Sequence, residues 1–340
     1  MKTLYCGLDV SNKSIAICIV DERGEIVVEF ESVTEGVKVE RALRGYKLTK
    51  CVVEASPLAE TVCEWVEAAG HEVDILDVRQ AKVVTATKKK TDRLDARKLA
   101  QLCRTGWYVR VHRKSGAARC MRSFLTARMQ LVKASNGAAS AIRGILRAHG
   151  VVIPDGAGKK FEQNIRQALR GADKLLIGAI DPLLRMWKLL QAEERQMYKA
   201  LSKTSFVKSA EVRRLMTVPG VGPATAAAFA ATIDDPKRFP TGEQVASYLG
   251  LVPSVYQSGN VEVKGRITKH GDNLLRWLLV EASITLLTRT KGDFALKSWG
   301  LKLQQAKGFG KARVAVARKL ACLLHHLWRT KQTFDVRQAA

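Results

Sequence analysis

The sequence predicts an α/β domain followed by an all-α region that carries one small β-hairpin. Short apolar runs of strand length, punctuated by tight turns and two helical patterns, fill residues 1–78. Long helical patterns then dominate 116–204. From 205 onward helices continue around one Gly/Pro turn and one pair of short alternating runs.

In order, Leu4-Tyr5-Cys6-Gly7-Leu8-Asp9-Val10 reads as a buried strand with an aspartate near its end. A second strand spans 15–20, Asp21-Glu22-Arg23-Gly24 turns the chain, and a third spans 26–30, giving an antiparallel meander. A helix near 35–43 precedes the strand Cys51-Val52-Val53, which leads into Glu54. A helix near 58–69, with Pro57 in its first turn, and a strand at 73–76 follow. Thr91 supplies an N-cap for a further helix, because Ala96-Arg97-Lys98-Leu99-Ala100 propagates well. The order βββ-α-β-α-β-α is the ribonuclease H arrangement. Residues 119–149 read as one long helix, broken by Val151-Val152-Ile153-Pro154-Asp155-Gly156. A second helix covers 161–180, and Asp181-Pro182 opens a third toward Ser202 as N-cap and N1 proline. The expected domains are therefore 1–115 (α/β), 116–204 (helical coiled-coil spacer), 205–334 (mainly helical) and a tail, 335–340.

The formal charge is +25, from 57 Lys/Arg against 32 Asp/Glu, and points to a polyanion, nucleic acid before an anionic membrane. It is unevenly spread: residues 1–78 hold 8 Lys/Arg and 15 Asp/Glu, whereas 259–329 hold 14 and 4. Seven cysteines without CxxC spacing and six scattered histidines give no zinc pattern, and read as reduced residues of a cytoplasmic protein. Charges follow the N-terminus at once, so no signal peptide is expected. The long uncharged run 216–233 contains Pro219, Gly220, Gly222 and Pro223, and no membrane partner is expected.

Lys88-Lys89-Lys90-Thr91-Asp92-Arg93-Leu94-Asp95 joins a lysine run to two aspartates three apart. From 79 to 128 there are 15 Lys/Arg, and Asp92 and Asp95 are the only acids. Such a first-turn pair complements a helix dipole, which accounts for most of them. Here, however, the topology also brings Asp9 and Glu54 toward the same helix. Carboxylates at 4 Å repel by about 4 kcal/mol per pair at an effective dielectric near 20. A cluster of four therefore calls for cations, and hard oxygen donors select Mg²⁺ or Mn²⁺. Two such ions can clamp a scissile phosphate. Gly7-Leu8-Asp9-Val10-Ser11 also suits the phosphate hairpin of actin-like sugar kinases, but residues 10–14 lack the glycine that fold needs.

Farther on, Leu215 to Ala226 reads as helix, Gly-rich turn and helix, the helix-hairpin-helix pattern. Gly220, Val221 and Gly222 would let backbone N–H groups meet phosphate oxygens. Two alternating runs flank Ser258-Gly259-Asn260, predicting a hairpin with Ser258 near its tip. Lys264, Arg266, Lys269 and Arg276 are expected beside it as phosphate ligands, with Lys88, Lys89 and Lys90 upstream. By itself a Ser-Gly-Asn turn is an ordinary turn, since a serine hydroxyl needs a base or metal to become nucleophilic.

Taken together, Gly7-Leu8-Asp9-Val10-Ser11, Glu54-Ala55-Ser56, Thr91-Asp92-Arg93-Leu94-Asp95-Ala96, Pro219-Gly220-Val221-Gly222-Pro223, Gly250-Leu251-Val252-Pro253, Ser258-Gly259 and Gly265-Arg266-Ile267-Thr268-Lys269-His270-Gly271 form one ordered set. The set resembles the DEDD-type insertion-sequence transposases, the bridge-RNA-guided serine recombinases, across essentially the whole chain. The resemblance implies a RuvC-like N-terminal domain, a dimerising coiled coil and a C-terminal transposase domain. It implies catalysis by Asp9, Glu54, Asp92 and Asp95 as metal ligands and by Ser258 as a nucleophile forming a phosphoserine link to DNA. It further implies donor and target DNA and a noncoding guide RNA as partners. A dimer assembling to a tetramer would join the two halves of the site across subunits, in a prokaryotic, nucleoid-associated protein. One departure is Pro57-Leu58 after Glu54-Ala55-Ser56, where that family carries Gly and an aromatic. Two alternatives stay open: a hydrolytic RuvC-like junction nuclease in which Ser258 is only a turn residue, and a non-catalytic nucleic-acid-binding protein.

Overall fold

The computed structural model describes residues 3–77, 91–154, 158–258 and 261–335. The chain divides into two compact units, Met1–Arg113 and Lys114–Ala340.

The first unit is built on a five-stranded mixed sheet among the described residues. Its elements are β1 (Leu4–Val10), β2 (Ser14–Asp21), β3 (Ile26–Val33), α1 (Gly36–Arg44), β4 (Leu48–Glu54), α2 (Ala59–Ala68), β5 (Val73–Leu76) and α3 (Asp92–Thr105). The spatial order is β3-β2-β1-β4-β5. β1 pairs antiparallel with β2 but parallel with β4, so it is central and lies where the meander meets the crossover half. β2 is apolar and buried from Ile15 to Val20 because both faces are covered. Ile15, Ile17 and Ile19 join Cys6, Leu8, Val39, Leu43 and Val62 in one core. Ala16, Cys18 and Val20 face the other way and pack with Ala96 and Ala100 of α3. Five of the seven cysteines are buried, and all seven are free thiols.

The second unit begins with α4 (Gly116–Ala148), α5 (Lys159–Ala168) and α6 (Lys174–Lys203). Phe161 and Ile165 of α5 close a small core with Ile142, Leu146, Ile180, Leu184 and Trp187 of the two long helices. The helix expected to open at Asp181-Pro182 opens instead at Lys174. Gly171 takes a left-handed φ of 77°, and Asp173 accepts a 2.7 Å bond from the Leu175 amide as N-cap. Pro182 is carried inside α6, held by the buried Ile180, Leu184 and Trp187 that bracket it. Packing thus overrides the cost of a proline in a helix interior.

After α7 (Ser205–Lys208) and α8 (Ala210–Leu215), the alanine-rich α9 (Pro223–Ile233) is buried from Ala224 to Ile233 and forms the centre of the unit. The unit continues with α10 (Gly242–Tyr248), the hairpin β6 (Pro253–Ser258) and β7 (Val261–Ile267), α11 (Asn273–Thr288), α12 (Ala295–Lys307) and α13 (Phe309–Thr330). The first turns of α4, through Ala118, Met121 and Leu125, enter the same core. Burial therefore explains the uncharged run at 216–233. Among the described residues no helix is long and apolar enough to cross a membrane.

Candidate active site and nucleic-acid interface

β1 and β4 run parallel with Leu8 opposite Val53, so Asp9 and Glu54 follow at the same end of neighbouring strands. The carboxyl ends of parallel strands are where α/β sheets place their ligands. α3 brings the other two acids. Thr91 takes an extended conformation (φ −141°) and its hydroxyl accepts from the Leu94 amide at 3.3 Å, fixing Asp92 and Asp95 in the first turn. Asp9, Glu54, Asp92 and Asp95 line one cavity of about 300 Å³, together with Val10, Ser11, Ala55 and Ser56.

The close approach of α3 to β1 depends on Gly7. A Cβ at this position would overlap the backbone of Ala96 and Ala100, so no side chain fits between helix and strand. Farther along α3, Arg97 forms a two-pronged contact with Glu29 at 2.8 and 2.7 Å, and Gln101 donates to the Gly24 carbonyl at 2.7 Å. The Arg97 guanidinium holds the Glu29 carboxyl below the usual carboxylate range. At the carboxyl end of β1, beside the cavity, the Ser11 hydroxyl donates to the Ser14 carbonyl at 2.8 Å and accepts the Ser14 amide at 3.1 Å, closing the turn after Asp9.

The four acids share a cavity without closing into a coordination shell. Among the described residues no group of three or more His, Cys, Asp or Glu is gathered tightly enough to hold an ion. Four like charges repel, and Lys98 offsets one of them: its ammonium lies 2.9 Å from Asp95 Oδ1, both side chains about one-fifth exposed. Asp9 and Glu54 are also engaged with neighbours. The donor set nevertheless suits a hard divalent cation. Ser56 Oγ, in the same cavity, is buried with no hydrogen-bond partner among the described residues and supplies an unused oxygen. Sequence reasoning gave no role to Gly7, Lys98 or Ser56, although a lone glycine within an apolar strand signals close backbone approach.

In the second unit the expected phosphate ligands are differently placed. Gly220 has φ 86°, and a Cβ there would stand 2.6 Å from the Ala282 carbonyl oxygen, so its smallness serves packing against α11. Val221 is buried and its amide already donates to the Val218 carbonyl at 3.0 Å. Gly222 is the N-cap of α9 and supplies no side-chain cap for the first-turn amides. Arg276 corrects its expectation: it is only 8% exposed, and its Nη1 donates to the carbonyls of Leu249 (2.8 Å) and His270 (2.9 Å). It fastens the base of the hairpin instead of meeting phosphate. Arg266 and Lys269 are exposed. The backbone places Ser258 at the end of β6, paired with Val261. The side chains of Ser258 and Lys264 lie outside the described residues, as do Lys88, Lys89, Lys90, Gly259 and Asn260.

Two family models match this chain. The DEDD transposase model of the IS110 group matches residues 6–150, a span holding all four acids, and a second, described as "Transposase IS116/IS110/IS902 family", matches 212–297. The chain belongs to the IS110/IS116 family of insertion-sequence transposases. As a transposase it is similar over nearly its whole length to the "Transposase for insertion sequence element IS1111A" of Coxiella burnetii, with 26% identity over 96% of this chain and 90% of that protein. It is similarly related to a "Probable family 20 transposase" of Pseudomonas aeruginosa, with 27% identity over 94% of each. A "Pilin gene-inverting protein" of Moraxella lacunata matches 45% of the chain at 26% identity. Family membership makes the transposase a DNA-cleaving enzyme with a RuvC-like domain, and the purely non-catalytic reading falls.

Proposed function

We infer that this transposase cuts and rejoins the DNA of its mobile element at the cavity between the ends of β1 and β4. The supporting observation is that Asp9, Glu54, Asp92 and Asp95, from two strands and one helix, line that single cavity. They are the residues that would hold Mg²⁺ or Mn²⁺. When bound, the ion supplies charge stabilisation at the scissile phosphate. The chain's own residues do the rest. β1 and β4 set the spacing of two carboxylates, the capped first turn of α3 aims the other two, and Gly7 keeps the helix seated.

In this reading Ser258 is the nucleophile. Its Oγ bonds to phosphorus while the bond to the leaving strand's oxygen breaks, and that oxygen takes up a proton. Attack by a DNA hydroxyl on the phosphoserine then rejoins the strand and returns the proton to Ser258. Support comes from the position of Ser258 at the turn end of a hairpin strand and from the family motif, whereas the exposed Arg266 and Lys269 lie at the base of that hairpin, where Pro253 pairs with Ile267. Donor and target DNA, a guide RNA and a dimer or tetramer complete the proposal through the same resemblance. The hydrolytic alternative is favoured by the four-carboxylate cavity itself, which can act on water without a serine.

Denaturing electrophoresis of cleavage reactions separates the two. The serine mechanism predicts a protein–DNA adduct that disappears in Ser258→Ala, with DNA binding kept. Full cleavage by Ser258→Ala with free ends and no adduct would establish the hydrolytic course.

A further inference from the structure

Within the second unit, a groove of about 320 Å³ lies between α4 and the start of α11. It belongs to none of the residues discussed above as catalytic. Met129, Leu274 and Trp277 give it apolar walls, while Gln130, Lys133 and Asn136 stand along its α4 rim. Trp277 is 40% exposed, although Leu275, Leu278 and Leu279 on the same helix are buried in the main core. A tryptophan that leaves its ring open beside a concavity offers a stacking face.

The rim has matching chemistry. Gln130 and Asn136 are exposed, and among the described residues neither side-chain amide is engaged in a hydrogen bond. Each carries a donor and an acceptor in one plane, the complement of a base edge. Lys133, also exposed, adds a positive charge to the same rim. The groove is fixed before any ligand arrives. Arg122 Nη1 on α4 bonds Asp272 Oδ2 at 2.7 Å, and Asp272 Oδ1 caps α11 through the Leu275 amide at 2.7 Å.

Its setting identifies the occupant. The unit holds 38 Lys/Arg against 15 Asp/Glu, so a polyanion is the fitting partner. Only residues 268–272 separate the end of β7 from α11, so the groove begins where the hairpin carrying Ser258 returns to the helical body. We propose that this groove receives one unpaired nucleobase, stacked on Trp277 and contacted along its edge by Gln130 and Asn136. A base is accessible there only when it is unpaired, so the groove selects distorted or single-stranded DNA over an intact duplex. The proposal rests on the reading that the protein handles DNA.

The test uses the full chain and two short duplexes of equal length, one fully paired and one with a single bulged 2-aminopurine. The expected result is about tenfold tighter binding of the bulged duplex, the scale of one stacked base, with quenched 2-aminopurine fluorescence. Trp277→Ala removes both the preference and the quenching, Trp277→Phe keeps most of each, and Gln130→Leu weakens the preference. Affinity for the paired duplex stays unchanged in all three. An equal preference in Trp277→Ala, or none in the native protein, overturns the groove while leaving the DNA reading intact. Failure to bind either duplex overturns both.

Discussion

The two units solve opposite electrostatic problems. Met1–Arg113 holds 19 Lys/Arg against 17 Asp/Glu, and its candidate site gathers four acids at the end of a packed sheet. Lys114–Ala340 has 38 against 15, and two of its exposed cations, Arg266 and Lys269, lie on and beside a two-stranded hairpin. The carboxylates repel one another, so they need a rigid frame: two hydrogen-bonded strands and a capped helix pressed onto β1 at Gly7. The cations only have to meet a polyanion, and exposed side chains on a small ribbon suffice. Precision is therefore concentrated in the first unit and electrostatic attraction in the second.

The largest expected effect comes from disturbing the frame. Gly7→Val places a branched side chain against the backbone of Ala96 and Ala100, so α3 must lift from β1. A displacement near 1 Å at reacting groups costs on the order of 100-fold in rate. Cleavage assays should show at least that loss, while affinity for DNA, measured at fixed salt, changes little. A fully active Gly7→Val would separate the seating of α3 from the chemistry.

Next is the contrast between two arginines of the second unit. Arg276→Met leaves the Leu249 and His270 carbonyls without a buried donor, costing roughly 1–3 kcal/mol of stability. Thermal unfolding should register it. Arg266→Gln should leave the melting temperature unchanged and instead lower the slope of DNA affinity against salt by about one contact. The reverse pattern would return Arg276 to the DNA-binding face.

A smaller effect is expected at Lys98. Its ammonium competes with any cation for Asp95, so Lys98→Met should tighten Mn²⁺ binding roughly fivefold, the scale of ~1 kcal/mol for one partly exposed ion pair. Weaker Mn²⁺ binding in a calorimetric titration would mean that Lys98 holds Asp95 in position instead.

The smallest concerns the start of the second unit. Burial, reinforced by the neighbouring Arg122 and Arg238, lowers the Lys114 amine to about 8, while its Nζ donates to the Thr232 carbonyl at 2.9 Å. Between that value and the free lysine's 10.5, the unfolded chain binds the extra proton, so this group's contribution to stability improves as pH rises. Lys114→Met should therefore raise the melting temperature by a few degrees at pH 7, with the gain shrinking toward pH 10. A constant difference across that range would show that Lys114 is not charged-and-buried at neutral pH.

Much of this arrangement was readable in the sequence because it follows from local rules. The apolar runs of β1, β2 and β5, the Thr91 cap and the strand order all announce themselves through periodicity and turn residues. Arg276 did not, because a basic residue beside a basic hairpin looks the same in sequence whether it points outward or fastens two carbonyls. Pro182 misled for a related reason: Asp181-Pro182 is a good helix start, but three buried side chains around it carry α6 straight through. Gly7 and Ser56 act through contacts or their absence across elements, which spacing along the chain cannot express, whereas the Lys98–Asp95 pair lies within α3 at i, i+3 and its spacing does show it.

The central claim, that the four acids form one divalent-metal site, is tested most directly by calorimetric Mn²⁺ titration of the full-length protein and of Asp92→Asn/Asp95→Asn. The account predicts saturable binding in the native protein that is lost in the double variant, with the melting temperature of the variant preserved. Equal Mn²⁺ binding in the two proteins would contradict it.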